Sequence, residues 1–545
     1  MLRALFAAAA LAASFQAAAE KSTVCTITVN SADEREVFHR SLPEDKFQFV
    51  ELVEKGRPDW LAAACREKVR CDVLVVSGHF AGSEFYSSKF DVSESLAVDE
   101  VERVACSDSC PDLFSHLKEV YLFGCDSLKP EPVRSAAPEI IRGLMHAGQS
   151  RADAEHFARA LSERHAESSR DRMRRVFPGV PVIYGFSSLA PYGRVAGPML
   201  SRYFQSAQDD EVGSGRASSK LLALFGPASM VATNGLRSSD PNADYRAEAC
   251  RYYDDRISTG DRVRFIHELL ARDMPEVRVA FDRVERFFSG LGAAERADPQ
   301  IHAAIGELAG DSSTRTHYLA IMRDTQDPAL RVRMIALAQS IGWLTPAENR
   351  AELAHTIRDV LAGESMGFGE VDLVCTLNRD RALDASLATL HVAQSANRPA
   401  QSAALACLGS ADAHARTLKA LASPRDDEVQ IAQAYLRHRP ITDARELREV
   451  ALGIMRMKGA AAQSRALETL ARLHVSDSEI LDELAQLFRH STSLQVQRAI
   501  AEVFIRADTG GDTGPAFAAL FRQHRIKSPA GTDLIDLAIR KLQGV

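Results

Sequence analysis

His79 and Cys125 are the two residues of this chain best placed to make and break a carbonyl bond. Each ends a stretch of the same design. VLVVSGHFAG, residues 73–82, and VYLFGCDS, residues 120–127, are uncharged apolar runs that stop at a glycine beside one reactive side chain. A cysteine attacks a carbonyl as its thiolate, so it needs a base to receive its proton. It also needs N–H donors aimed at the oxyanion that forms. An imidazole supplies the first. A cysteine just past a strand end keeps its own N–H for the second, and Gly124 lets substrate backbone approach closely.

The elements that must hold the two residues are short buried strands, rich in β-branched and aromatic side chains and closed by glycine. Neighbouring parallel strands deliver their carboxyl ends to one edge of a sheet, where such folds bind ligands. The surrounding pattern, from Thr23 to Gln205, alternates strand and helix, which predicts a mostly parallel sheet with helices on both faces. Strands are expected over Val24–Val29, Phe47–Val53 and Pro181–Phe186. Helices are expected over Ala32–Arg40, Trp60–Lys68 and Val92–Ala105, with a long charged helical stretch over Ala136–Phe177. His146, His156 and His165 are spread along that stretch without the i, i+4 spacing of a metal-binding pair and read as a solvated face. No cysteine spacing resembles a zinc site, and no metal or other cofactor is expected.

An apolar strand ending in His, followed some tens of residues later by one ending in Gly-Cys, resembles the caspase-like clan of cysteine peptidases, closest to its CHAT-like branch. The resemblance covers about residues 23–205, within a domain expected over 20–205. It implies an α/β caspase-like domain with Cys125 as nucleophile and His79 as general acid/base. It implies an oxyanion hole that includes the Cys125 N–H and a second donor near the histidine, from Gly78 or Phe80. It also implies a substrate groove bordered by Gly124, Tyr184, Gly185 and Ser187. The chain departs from the clan in carrying Phe80 directly after the histidine, and Asp126-Ser127 after the cysteine. Asp126 or Glu84, beside the two strand tips, would favour a basic substrate residue.

The rest of the chain frames this domain. Arg3, the apolar run Ala4–Gln16 and Ala17-Ala18-Ala19 form the three parts of a secretory signal peptide, residues 1–19, so an exported protein is expected, periplasmic or secreted. Export makes disulfides the natural state of cysteine. Setting Cys125 aside, the remaining eight form an even set, with Cys106–Cys110 the nearest local pair and Cys375–Cys407 placed to join adjacent helices. Residues 206–260 read as a linker or extension. From 261 to 545 strand signals vanish. Similar helix starts recur at Asp327, Arg398, Pro424, Gly459 and Ser493, the later ones about 30 to 40 residues apart as in stacked helix pairs. The texture resembles a degenerate HEAT-type repeat, whose extended concave surface suits a protein partner.

Composition excludes other classes. The 545 residues are 46% hydrophobic and 26% charged, with a formal net charge of -7. That is a globular chain without the basic face nucleic acid requires. No run after the N-terminus approaches the roughly 18 apolar residues of a membrane span. There is no G-x-S-x-G elbow and no H-E-x-x-H helix. Two functions follow: an exported cysteine peptidase with a helical docking domain, or a non-catalytic protein-binding scaffold on the same frame.

Overall fold

The computed structural model describes residues 21–52, 60–87, 95–107, 110–132, 135–206, 211–363, 366–381, 383, 387, 398–507, 510–527 and 533–544. Residues 1–19, read from the sequence as a signal peptide, residue 53 of the strand expected over Phe47–Val53 and residues 92–94 of the helix expected over Val92–Ala105 lie outside these. The chain divides into two compact units between Tyr318 and Leu319.

The first unit is built on a six-stranded sheet. In chain order its strands are β1 (Ser22–Thr28), β2 (Phe47–Glu51), β3 (Val73–Ser77), β7 (Glu119–Phe123), β8 (Val182–Phe186) and β9 (Met230–Thr233). A separate three-stranded antiparallel sheet holds β4 (His79–Phe80), β5 (Glu84–Tyr86) and β6 (Ser95–Ala97). The large sheet runs β2-β1-β3-β7-β8-β9, parallel throughout except for β9, which pairs antiparallel with β8. The six-stranded sheet is therefore the mostly parallel one expected. β9 lies in the stretch read as a linker.

Strand alternation sends side chains to opposite faces, and both faces are buried. One face sets Val73, Val75, Tyr121, Phe123 and Phe186 against α1 (Asp33–Ser41), α8 (Gly193–Ser206) and α9 (Ser219–Phe225). The other sets Leu74, Val76, Val120, Leu122 and Ile183 against α2 (Trp60–Arg66), α3 (Val98–Cys106), α4 (Asp112–Ser115) and α7 (Ser169–Val176). Leu96, expected on the helix of α3, lies instead in β6, paired with Phe85.

The charged stretch before β8 also forms α5 (Ala137–His146) and α6 (Arg151–Arg164), whose first turn is capped by Ser150. Its histidines do not share one fate. His146 and His156 are not buried, but His165 is, with Nε2 3.1 Å from Glu276. Glu276 belongs to the helices that complete this unit: α10 (Ala243–Cys250), α11 (Thr259–Leu270), α12 (Met274–Gly290), α13 (Ala293–Arg296) and α14 (Pro299–Gly310). α12 packs on α5 and α6, which is why these helices group with the sheet.

A buried ion network ties α3 to α7. Arg175 Nε donates to Glu102 at 2.7 Å, and its Nη1 donates to the His165 carbonyl at 2.8 Å. Burial alone would raise the Glu102 carboxyl, but the guanidiniums of Arg175, Arg283 and Arg172 outweigh it and hold it down at about 2.

Four disulfides join Cys25–Cys71, Cys65–Cys110, Cys106–Cys250 and Cys375–Cys407, and Cys125 is free. The Cys375–Cys407 expectation holds. Cys106–Cys110 does not form: Cys106 ends α3, where the end of α10 meets it, and Cys110 turns to Cys65 on α2.

The helix α15 (Ser312–Asp324) crosses the boundary between units. In the second unit follow α16 (Pro328–Ile341), α17 (Pro346–Ala362), α18 (Phe368–Leu377), α19 (Arg398–Cys407), α20 (Ala411–Ala420), α21 (Asp426–His438) and α22 (Ala444–Met455). Then come α23 (Ala460–Ala471), α24 (Ser478–His490), α25 (Leu494–Arg506), α26 (Gly510–His524) and α27 (Leu534–Leu542). From α19 onward the packing alternates: α19, α21, α23, α25 and α27 stack in one layer, and α20, α22, α24 and α26 in another. Each helix touches only near neighbours, as stacked helix pairs do.

Buried glutamines recur at the fourth residue of three first-layer helices. Gln401 donates to Leu361, Gln463 to Ile454, and Gln497 to Phe488 and His524, all backbone carbonyls. They satisfy carbonyls left over at the ends of neighbouring helices, α17, α22, α24 and α26. Among the described residues no helix is long and apolar enough to cross a membrane.

Two measurements check this frame. A peptide map of the unreduced protein, blocked with iodoacetamide, is expected to recover those four bridges and carbamidomethyl on Cys125 alone. A Cys106–Cys110 peptide would refute the long-range pairing, which closes a span of 144 residues and contributes about 5 kcal/mol in a chain-entropy treatment. Glu102→Gln leaves Arg175 buried without its counter-charge and is expected to cost about 3–5 kcal/mol at neutral pH. Because the Glu102 carboxyl is held below its ordinary 4.5, its contribution is present above about pH 4.5 and lost as pH falls through about 2. Acid titration of stability should flatten over that window in the variant.

Candidate active site

The site begins with the register of β3 against β7. The two pair in parallel with Ser77 opposite Phe123, and Gly78 extends the ladder by donating to the Phe123 carbonyl at 3.2 Å. Both chains therefore leave the sheet at the same edge. β3 runs through Gly78 into β4, which carries His79. β7 runs through Gly124 into a turn, which carries Cys125.

Gly124 is the tightest point. A Cβ there would lie 2.8 Å from Phe80 Cβ and 3.0 Å from the Gly78 carbonyl oxygen. Only glycine lets the two tips approach this closely.

The turn after Gly124 is pinned to β8. Asp126, at φ 57°, donates its N–H to the Ser188 carbonyl at 2.7 Å, and Leu128 donates to Phe186 at 2.9 Å. The buried Ser127 hydroxyl accepts from the Phe186 N–H at 3.1 Å. Left-handed backbone is tolerated by aspartate better than by most residues. The turn thereby presents Cys125 at the sheet edge, where the Ala190 N–H donates to its Sγ at 3.3 Å. The Cys125 N–H itself donates to no group among the described residues.

His79 and Cys125 line one cleft of about 170 Å³ with Asn30, Ser31, Glu34, Gly78, Phe123, Gly124 and residues 189–193. The His79 ring is close to those of Tyr86 and Tyr192, with ring centres 5.4 and 6.1 Å away. No hydrogen bond joins His79 to Cys125. Catalytic contacts are often long without substrate and tighten once it binds. Leu189 and Tyr192 are 75% and 63% exposed and give the cleft an apolar rim.

The other expected site residues divide. Gly78 and Gly124 line the cleft, whereas the Phe80 side chain is buried against Phe85 in the core, ring centres 4.7 Å apart. Its backbone is another matter. Ala81 donates to Glu84 at 3.1 Å, so by the alternation of an antiparallel ladder the Phe80 N–H faces away from β5.

Tyr184, Gly185 and Ser187 do not line the cleft. Tyr184 is buried in the sheet face, stacked on Tyr121, with its hydroxyl accepting from the Ser218 N–H at 2.7 Å. Gly185 lies against Ser127 and Leu128, either 2.7 Å from a Cβ placed there. The Ser187 hydroxyl donates to the Ser229 carbonyl at 3.2 Å. Residues 189–193, just beyond β8, take the place expected of them. Neither Asp126 nor Glu84 reaches the cleft, and Asp126 instead pairs with Lys129 at 3.7 Å.

Sequence reasoning missed Glu34. It is 3% exposed, on the first turn of α1, and its Oε2 is buried without a hydrogen-bond partner. Burial pushes its carboxyl up to about 7, with help from Asp33 and against the pull of its own backbone N–H and the Ser77 hydroxyl. Among the described residues no cluster of side chains could hold a metal ion. Comparison with protein-family models, curated proteins and solved structures finds no match to this chain.

Gly124→Ala tests the geometry. The methyl group must displace backbone as well as the Phe80 side chain, so the variant is expected to lose about 1–3 kcal/mol of stability. Alkylation of Cys125 should also change rate as the tip shifts. Wild-type stability and wild-type alkylation together would mean that the two tips are not held in close contact.

Proposed function

We propose that the first unit is a cysteine peptidase of the caspase-like clan, and that the protein works after export. The observation that carries this reading is that the free cysteine, among nine, shares a cleft with His79 at the common edge of two parallel strands.

In the reaction, the Cys125 sulfur attacks the carbonyl carbon of a peptide bond and His79 receives the thiol proton. The oxyanion is met by the Cys125 N–H, which donates to no other group among the described residues, and by the Phe80 N–H, which the ladder turns away from β5. Collapse of the tetrahedral intermediate breaks the C–N bond, and His79 returns the proton to the leaving amine. The remaining thioester is then cleaved by water, with His79 as the base. The apolar rim of Leu189 and Tyr192 offers contact area to an extended peptide.

The stacked helices of the second unit, with their resemblance to HEAT-type repeats, provide a surface for a protein substrate or partner. Export agrees with four disulfides and with the apolar leader of the sequence.

The absence of a His79–Cys125 hydrogen bond gives weight to the alternative of a non-catalytic scaffold, and one experiment separates the two. Peptidyl acyloxymethyl ketones with varied residues next to the warhead are expected to label wild type at Cys125 and to leave Cys125→Ala unlabelled. His79→Ala should slow labelling by about 100-fold or more. If iodoacetamide reaches Cys125 while no peptide probe does, or if His79→Ala labels as fast as wild type, the scaffold reading replaces the enzyme.

A further inference from the structure

The cleft holds a carboxylate that the dyad chemistry does not use. Glu34 lines the same cavity as His79 and Cys125, is almost fully buried, and leaves Oε2 without a hydrogen-bond partner. Of the neighbouring charges Asp33 and Arg35 are committed elsewhere, and Arg194 lies 6.0 Å from the Tyr192 ring centre. Asp33 accepts from the Ser31 hydroxyl at 2.7 Å, and Arg35 turns away to Glu51 at 3.0 Å. Among the described residues no lysine or arginine lines the cleft, and apart from His79 the remaining lining side chains are neutral. A buried carboxylate that lacks a partner costs stability unless it takes up a proton or a cation binds to it. The ligand that would satisfy it is a cation small enough for the cavity and able to donate hydrogen bonds.

Building on the peptidase reading, we infer that Glu34 recognises the positively charged side chain, arginine or lysine, of the substrate residue whose carbonyl Cys125 attacks. A guanidinium or ammonium entering beside the dyad meets the one acidic group of the cleft and supplies the missing donor. Arginine does so with a planar fork, lysine as a point charge. The pairing is made inside the protein, where opposite charges act strongly; an uncharged isostere can still donate a hydrogen bond but leaves the carboxylate without a counter-charge. The groups facing Glu34 are Asp33 on its own helix, the Ser77 hydroxyl on β3 and His79 across the cleft.

The test compares arginine with citrulline, its neutral isostere, in otherwise identical probes. Wild type should label faster with the arginine acyloxymethyl ketone than with the citrulline one by about 30-fold or more, as expected when a desolvated charge pair loses one member. Glu34→Gln, which preserves shape, should bring the ratio near one. The wild-type ratio should rise between pH 6 and 8 as Glu34 ionises, and stay flat in Glu34→Gln. Ionisation of the dyad acts on both probes and cancels in the ratio.

A second arm needs no chemistry. Cys125→Ala should bind an acetylated peptide ending in arginine amide more tightly than its citrulline counterpart, measured by calorimetry, and Glu34→Gln in that background should remove the difference. Equal binding of the two peptides to Cys125→Ala, or a preference that survives Glu34→Gln, overturns the inference. Preferential arginine binding with no probe labelling at all would uphold the cation site and refute the peptidase instead.

Discussion

Everything at the candidate site depends on how closely the ends of β3 and β7 approach. Parallel pairing with Ser77 opposite Phe123 brings two chains to one edge, and the Gly78 to Phe123 hydrogen bond carries the pairing one residue beyond the strands. With Gly124 squeezed between Phe80 and Gly78, the imidazole and the thiol emerge from a rigid joint rather than from independent loops. A site built on strand ends inherits the precision of the sheet, whereas loops alone hold geometry less well.

The support beneath that joint uses two kinds of constraint. The turn that carries Cys125 is pinned by backbone and hydroxyl hydrogen bonds to β8, so β8 positions the cysteine without contributing side chains to the cleft. Deeper in the unit, disulfides and the Glu102–Arg175 pair join α2 to the turn before α4, and α3 to α7 and α10. Glu119, at the far end of β7 from Cys125, is fully buried and accepts from Tyr121 at 2.6 Å and from the Gly215 N–H at 3.0 Å. Both ends of the central strand are thus tied down, one by this carboxylate and the other by the turn.

Much of this was legible in the sequence because apolar runs closed by glycine report strands directly. All five strands expected of the large sheet form, as do the recurring helix starts, to within two residues. What escaped did so for physical reasons. β4 and β5 are two and three residues long, too short for any periodicity, so His79 read as the end of β3. β9 follows Gly226-Pro227 and is held by pairing with β8, information that no local window contains. Period two shows that Tyr184 and Phe186 share a face but not which layer covers it, and that layer is α1, α8 and α9. Proximity in sequence favoured Cys106–Cys110, whereas the bridge is set by where α10 returns. Glu34 looked like one more charge on a polar helix, since Asp33, Glu34 and Glu36 crowd its first turn.

That last miss bears on how departures from local rules should be read. A strand-tip glycine with no room for a methyl, an aspartate at positive φ, and a buried Glu34 Oε2 without a hydrogen-bond partner all lie within a few residues of one cleft. Elsewhere in this unit, unsatisfied atoms such as Glu102 Oε2 and Arg175 Nη2 belong to a charge network whose members neutralise one another. Glu34 has no such network, and its raised carboxyl marks a charge the fold alone does not compensate. Sequences that specify a fold tend to break local preferences where function requires it. The cost accepted at Glu34 is therefore better explained by what enters the cleft than by what surrounds it.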